Sequence, residues 1–293
     1  MDFKEIKRVL LIILVLNWLV ASAKIFIGIS TGTIILSILT DGLHSLFDGV
    51  TNLIGFFGIK LAERPADKGH PYGHRKYETI TSMMILFFLA ITAYEVGKNA
   101  FQKLFHPSAI NIEWFVFGVL AACIFIDWLV ARYEYKKGVG LKSIILKADS
   151  SHTKSHYITT GAVLLAAVLI KLGLPAIVDP IFAIFVVGFI IKLGFEIFKE
   201  TTAVLADKAL ASGEKIKEIA EKIQEVESCH GIRSRGDESY VFVDSHLVLK
   251  PDTPLAEAHE ICEKMKEIIR SEMPDVKDII IQLEPNDKGC NPS

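Results

Sequence analysis

A chain of 293 residues with 51% hydrophobic residues and a mean hydropathy of +0.39 is too apolar for an ordinary soluble globule of its length. Its formal net charge of −2 excludes a strongly basic nucleic-acid binder. Charges are sparse up to about Phe198 and dense from Lys199 onward, which predicts one region in lipid and one in water.

Six apolar stretches can be drawn in chain order: Val9 to Ile29, Thr33 to Leu61, Tyr77 to Phe101, Trp114 to Tyr133, Leu141 to Leu172 and Ala176 to Phe198. Each approaches or exceeds the roughly 20 residues that a helix needs to cross a hydrocarbon core. The first is too long for a signal-peptide core and lacks a small-residue cleavage site, so it is expected to be retained as a span. Basic residues gather before the first span (Lys4, Lys7, Arg8), in the second connection (Arg64, Lys68, Arg75, Lys76) and around the fourth (Lys136, Lys137, Lys142, Lys147). By the positive-inside rule both termini are expected to be cytoplasmic.

The second and fifth stretches are the least apolar, because each carries a polar stripe. Asp41, His44, Ser45, Asp48 and Asn52 line one; Asp149, His152, Ser155, His156 and Thr159 or Thr160 line the other. Residues four apart share a helix face, so His44 with Asp48, and His152 with His156, can each close on one ion. Ionisable groups in hydrocarbon cost several kcal/mol by most estimates, which marks both stripes as functional rather than incidental. Facing each other, they would supply three imidazoles and one carboxylate, a donor set suited to a tetrahedral zinc-like ion. A purely structural helix contact is the competing reading.

Between the second and third spans, Asp67, His70 and His74 fall within a short Gly/Pro-rich turn, close enough in sequence to gather on one ion at small ordering cost. Cys123, Cys229, Cys262 and Cys290 show neither CxxC spacing nor a dense framework, as expected of reduced thiols. Cys229 and Cys262 are read as buried thiols, with metal ligation the alternative.

From about Asp207 the pattern predicts a compact αββαβ order: a helix near Glu214 to Gln224, a strand near Gly231 to Arg235, a strand at Tyr240 to Leu249 with strict two-residue alternation, a helix near Leu255 to Ser271 and a strand near Val276 to Leu283. His259-Glu260 would open a zinc-protease HExxH motif, but position 263 is Glu263, so that reading fails. The predicted architecture is therefore an all-α, six-helix transmembrane bundle (1–206), a C-terminal cytoplasmic α+β domain of ferredoxin or metallochaperone-like order (207–286) and a short tail (287–293).

Six spans, the HSLFDGVTN stretch from His44, the PADKGHPYGHRKYE stretch from Pro65, the ADSSHTKSH stretch from Ala148 and the αββαβ tail together resemble the cation diffusion facilitator family. The resemblance implies a homodimeric proton antiporter, not an enzyme, embedded in lipid of the cell (inner) membrane and exporting divalent cations. The cation expected is Zn2+, with Fe2+, Co2+, Cd2+ and Ni2+ as other candidates, and no nucleic acid is involved. It further implies a transport site of His44, Asp48, His152 and His156, a loop site of Asp67, His70 and His74, and a cytoplasmic site of His230, His246, His259 and Glu284. The family usually has aspartate where this chain has His156, and a further histidine in some members where it has Gln282. A membrane-anchored metal sensor or assembly scaffold without transport is the alternative.

Overall fold

The computed structural model describes residues 2–30, 36–105 and 114–286; within them the side chains of 23–24, 27–30, 36–48 and 114–116 lie outside the description. The chain divides into two compact units, with the boundary along the sequence between Thr201 and Thr202. Among the described residues the first unit is built from six helices: α1 (Phe3–Ser30), α2 (Leu36–Ala62), α3 (Lys76–Phe105), α4 (Trp114–Gly140), α5 (Ile144–Lys171) and α6 (Val178–Leu205). They coincide with the six apolar stretches. Most continue past the apolar run, because hydrocarbon dictates where apolar side chains are needed and not where hydrogen bonding must stop. By length and composition α3, α5 and α6 can each cross a membrane, and α1, α2 and α4 have comparable lengths of 28, 27 and 27 residues.

On α1 the residues Ile6, Val9, Leu10 and Ile13 are buried at helical spacing, while Leu11, Val15 and Leu19 face outward. An apolar outer face is what lipid requires. Ion pairs tie helix ends together: Lys7 of α1 to Glu63 just beyond α2, Lys137 of α4 to Glu5 of α1 at 2.7 Å, and Lys103 of α3 to Asp179 of α6 at 2.7 Å. Helix α5 starts at an N-cap, Ser143, whose hydroxyl accepts from the Leu146 N–H. It ends at Gly173 (φ +100°), where the Leu174 N–H reaches back to Leu169 O at 3.1 Å before Pro175.

Close approach of α2 and α3 depends on one missing side chain. A Cβ on Gly58 would lie 2.1 Å from Thr81 Oγ1. Gly58→Leu is therefore expected to destabilise the protein by about 1–3 kcal/mol, through overpacking, and to lower its melting temperature in detergent. Thr81→Ala in the same chain should recover part of the loss.

The second unit holds α7 (Gly213–Glu221), β1 (Val226–Asp237), β2 (Tyr240–Leu249), α8 (Leu255–Glu272) and β3 (Val276–Pro285). The αββαβ order is the predicted one, within the helical membrane domain plus α+β domain architecture. In sheet order β1-β2-β3, β1 runs antiparallel to β2 and β3 parallel to it. Val241, Val243, Leu247 and Leu249 of β2 pack with Ile216 and Ile219 of α7 and with Ile261, Met265 and Ile269 of α8. Both helices thus cover one face of the sheet, and the even-numbered β2 residues lie on the other, half-exposed face. Strand β1 is longer than the expected Gly231 to Arg235. Its two register shifts, one between His230 and Arg233, and its polar composition conceal the strand period.

Candidate metal centres

Three groups of ligand-type residues can be followed from sequence into structure. In the connection between α2 and α3, the carboxylate Asp67 Oδ1 accepts from the Gly69 and His70 N–H groups at 2.8 and 2.7 Å, folding the turn on itself. His74 Nδ1 donates to Pro65 O at 3.0 Å. Because a carbonyl only accepts, Nε2 is the nitrogen left to face Asp67, and it lies 3.4 Å from Oδ2. His70 Nδ1 lies 3.5 Å from Oδ1, and the two imidazole centroids are 4.3 Å apart. One ligand atom from each of Asp67, His70 and His74 falls within 4.8 Å of the others, so a single ion can reach all three. The His70 N–H, foremost, and then the Gly69 N–H and both imidazoles hold Asp67 below the usual carboxylate range. The carboxylate is therefore favoured in its ionised form.

In the second unit the uncovered sheet face gathers His230, His246 and Glu284, again with ligand atoms mutually within 4.8 Å. Glu284 bridges the two rings, Oε1 to His246 Nδ1 at 2.6 Å and Oε2 to His230 Nε2 at 3.3 Å. Strand pairing explains the convergence: His230 stands opposite His246, and Gln282, two residues before Glu284, stands beside it on β3. Gln282 Nε2 donates to Glu284 Oε1 at 3.4 Å rather than supplying an imidazole. Gly231 sits at φ +60° against the His246 ring, where an added Cβ would approach Cδ2 to 3.0 Å. His259 is not part of this trio. It is exposed on α8, which packs on the opposite sheet face.

Cys229 and Cys262 are buried in the core of the same unit. Burial, with Glu221 adding to it, pushes the Cys229 thiol up to about 11, and burial raises Cys262. Neither belongs to a group of three metal-capable residues among the described ones. At pH 8 the Cys229 thiolate fraction is about one in a thousand, so native protein is expected to leave Cys229 unmodified by iodoacetamide, while denatured protein reacts at every thiol. Mass spectrometry of the alkylated peptides reads this directly.

The third group concerns α2 and α5. The His44 and Asp48 side chains lie outside the described residues. His152 is buried and its ring centroid is 4.7 Å from that of His156. Further along both stripes the helices touch through polar groups: Thr51 Oγ1 donates to Asp149 Oδ1 at 3.2 Å, and Asn52 Nδ2 donates to Oδ2 of the same carboxylate. Asn17 of α1 donates to Asn52 Oδ1 at 3.0 Å. Gly55 meets Ile145, its Cβ position 3.2 Å from Ile145 Cγ2. Later α2 residues thus meet earlier α5 residues, and the pair is antiparallel.

Several buried polar groups carry no distinctive spacing in the sequence. Glu134 of α4 is fully buried and accepts from Thr153 Oγ1 at 3.3 Å, and Glu78 of α3 is buried against the start of α5. Each is a single acidic residue near a helix end, where exposure is the ordinary expectation.

Similarity to known proteins agrees with this organisation. Residues 10–206 match the cation efflux transmembrane domain and residues 211–286 the cytoplasmic domain of cation efflux proteins. An uncharacterized transporter of Methanocaldococcus jannaschii is 31% identical over 92% of this chain and 94% of its own length. Metal tolerance protein 2 of Oryza sativa subsp. japonica is 27% identical, covering 84% of this chain and 70% of that protein. The cation-efflux pump FieF of Serratia proteamaculans is 25% identical, with 89% and 87% covered. The chain belongs to the cation efflux family, also known as the cation diffusion facilitators: an integral membrane transporter of divalent metals, not an enzyme, with a cytoplasmic C-terminal domain of the dimerisation type.

Proposed function

We propose that this protein exports zinc from the cytoplasm across the cell (inner) membrane in exchange for protons, as a homodimer, through a site made by His44, Asp48, His152 and His156. The observation that carries this reading is the polar contact of Thr51 and Asn52 with Asp149. Together with the Gly55 and Ile145 approach it sets an antiparallel register in which 51–52 stands beside 149 and 55 beside 145. One turn further, position 48 comes level with 152, and one turn beyond that position 44 comes level with 156. A register that brings both proposed ligand pairs to matching depths supports the reading.

Three imidazoles and one carboxylate suit zinc better than magnesium or manganese, which favour oxygen. Imidazole binds metal only when neutral, so an arriving ion displaces protons and protons from the far side can displace the ion. Replacing the family's usual aspartate, His156 adds a neutral ligand and a titratable nitrogen. Iron, cobalt, cadmium and nickel are the other candidate cargoes. In this reading residues 1–206 form the membrane domain, 207–286 the cytoplasmic domain and 287–293 a tail. Asp67, His70 and His74 bind a second ion, and His230, His246 and Glu284 serve a cytoplasmic centre.

Proteoliposomes loaded with a pH dye and challenged in turn with the five metals test this. Zinc entry accompanied by proton movement in the opposite direction is the expected result; zinc entry without proton movement would remove the antiport. The cytoplasmic trio lies wholly within a separate compact unit, which favours a second reading, an anchored metal sensor. Ending the chain near Asp207 separates the two, since a transporter keeps residual flux and a sensor keeps none of its function.

A further inference from the structure

The carboxylate of Glu78 is buried where α3 meets the start of α5. It lies in the first turn of α3, and its Oε1 accepts from Ser143 Oγ at 2.7 Å, from the Ile144 N–H at 2.9 Å and from the Ile145 N–H at 3.5 Å. The first N–H groups of a helix have no partner within that helix and carry the positive end of its dipole. Ser143 caps the Leu146 N–H from within the chain, and Glu78 fills the two donors before it from a different helix. Ser143 is itself fully buried, so no water competes at this junction.

On its other side Glu78 is joined closely to the loop centre. The Glu78 N–H donates to Arg75 O and the Tyr77 N–H to His74 O, both at 3.0 Å, so the turn carrying His74 continues without a break into α3. The Tyr77 ring stacks on His74 with centroids 5.8 Å apart. At the far end, α5 carries His152 roughly 12 Å along its axis from Ile144, eight residues at about 1.5 Å each.

We propose that Glu78 is a positioning residue that couples the loop centre to the transport helix, so that an ion on Asp67, His70 and His74 raises the affinity at His152 and His156. This rests on the reading of the loop as a metal centre. A buried carboxylate with three donors is not released without leaving a charge and backbone donors unpaired, so the starts of α3 and α5 move together. Gathering the loop around an ion fixes the start of α3. Through Glu78 it also fixes α5, the helix that must shift for the ion to be released on the far side. By linkage, an ion in the transport site tightens the loop centre by the same factor.

Zinc calorimetry on the purified full chain tests the coupling, with the cytoplasmic trio silenced by His246→Ala and Glu284→Ala in every sample. The quantity read is the ratio of transport-site affinities with the loop intact and with Asp67→Ala and His70→Ala. That ratio is expected to be about tenfold in the otherwise unaltered chain and to approach one in Glu78→Ala, with both sites still titrating; Glu78→Gln, which keeps an acceptor oxygen, should restore part of it. A merely structural residue would weaken binding without changing the ratio. An undiminished ratio in Glu78→Ala, or in Ser143→Ala if the first variant does not fold, overturns the proposal. A loop that binds zinc with a ratio of one in the unaltered chain overturns the coupling alone, whereas a loop that binds none overturns the underlying reading of the loop.

Discussion

His152→Ala is expected to reduce zinc-driven proton flux in proteoliposomes by at least about 100-fold. Even the partners that merely orient a ligand are worth 10–100-fold in affinity or activity, and the loss of a ligand should exceed that. The His152 ring is buried beside His156, so its removal also leaves a cavity, and a melting temperature measured alongside separates misfolding from loss of the site. His156→Asp makes the opposite comparison. It keeps four donors and replaces a neutral ring with a charge, so flux is expected to persist with a shallower dependence on pH, because one imidazole fewer exchanges a proton. Full flux in His152→Ala would sink the four-ligand site.

Glu284→Ala is expected to weaken zinc binding at the cytoplasmic centre by about 100-fold or more while leaving the fold intact. The carboxylate links the two imidazoles, and it is the only acidic member of the trio. Its side chain keeps 19% exposure on the uncovered sheet face, away from the core of α7, α8 and β2, so the stability change should stay within about 1 kcal/mol. In the unaltered chain the affinity should fall as the solution is acidified, since protons and metal compete for the same nitrogens. Calorimetry at pH 7.5 and 5.5 reads both effects. An affinity unmoved by Glu284→Ala would remove this residue from the ligand set.

The grouping of Asp67, His70 and His74 was legible because the three residues are close in sequence and the turn that joins them is built from Asp67's own hydrogen bonds. The cytoplasmic centre was not readable from spacing. His230, His246 and Glu284 lie on three strands, and their meeting depends on sheet register, including the irregularity after His230. His259 shows the converse limit, since the family resemblance joined it to this group while α8 carries it on the other side of the sheet. Glu78 and Glu134 were missed because burial of a lone acidic residue follows from what packs around it, and periodicity does not report that.

The amino-acid order by itself determined the six apolar helices, their polar stripes, the αββαβ tail and the donor types available for metal, because helix and strand periods and the cost of charge in hydrocarbon act locally. Tertiary structure alone decided that α2 and α5 meet in antiparallel register through Asp149, that Glu284 bridges two imidazoles, and that Glu78 closes the start of α5. Those contacts join residues far apart in the chain, and their geometry is set by packing between elements, which no local period encodes.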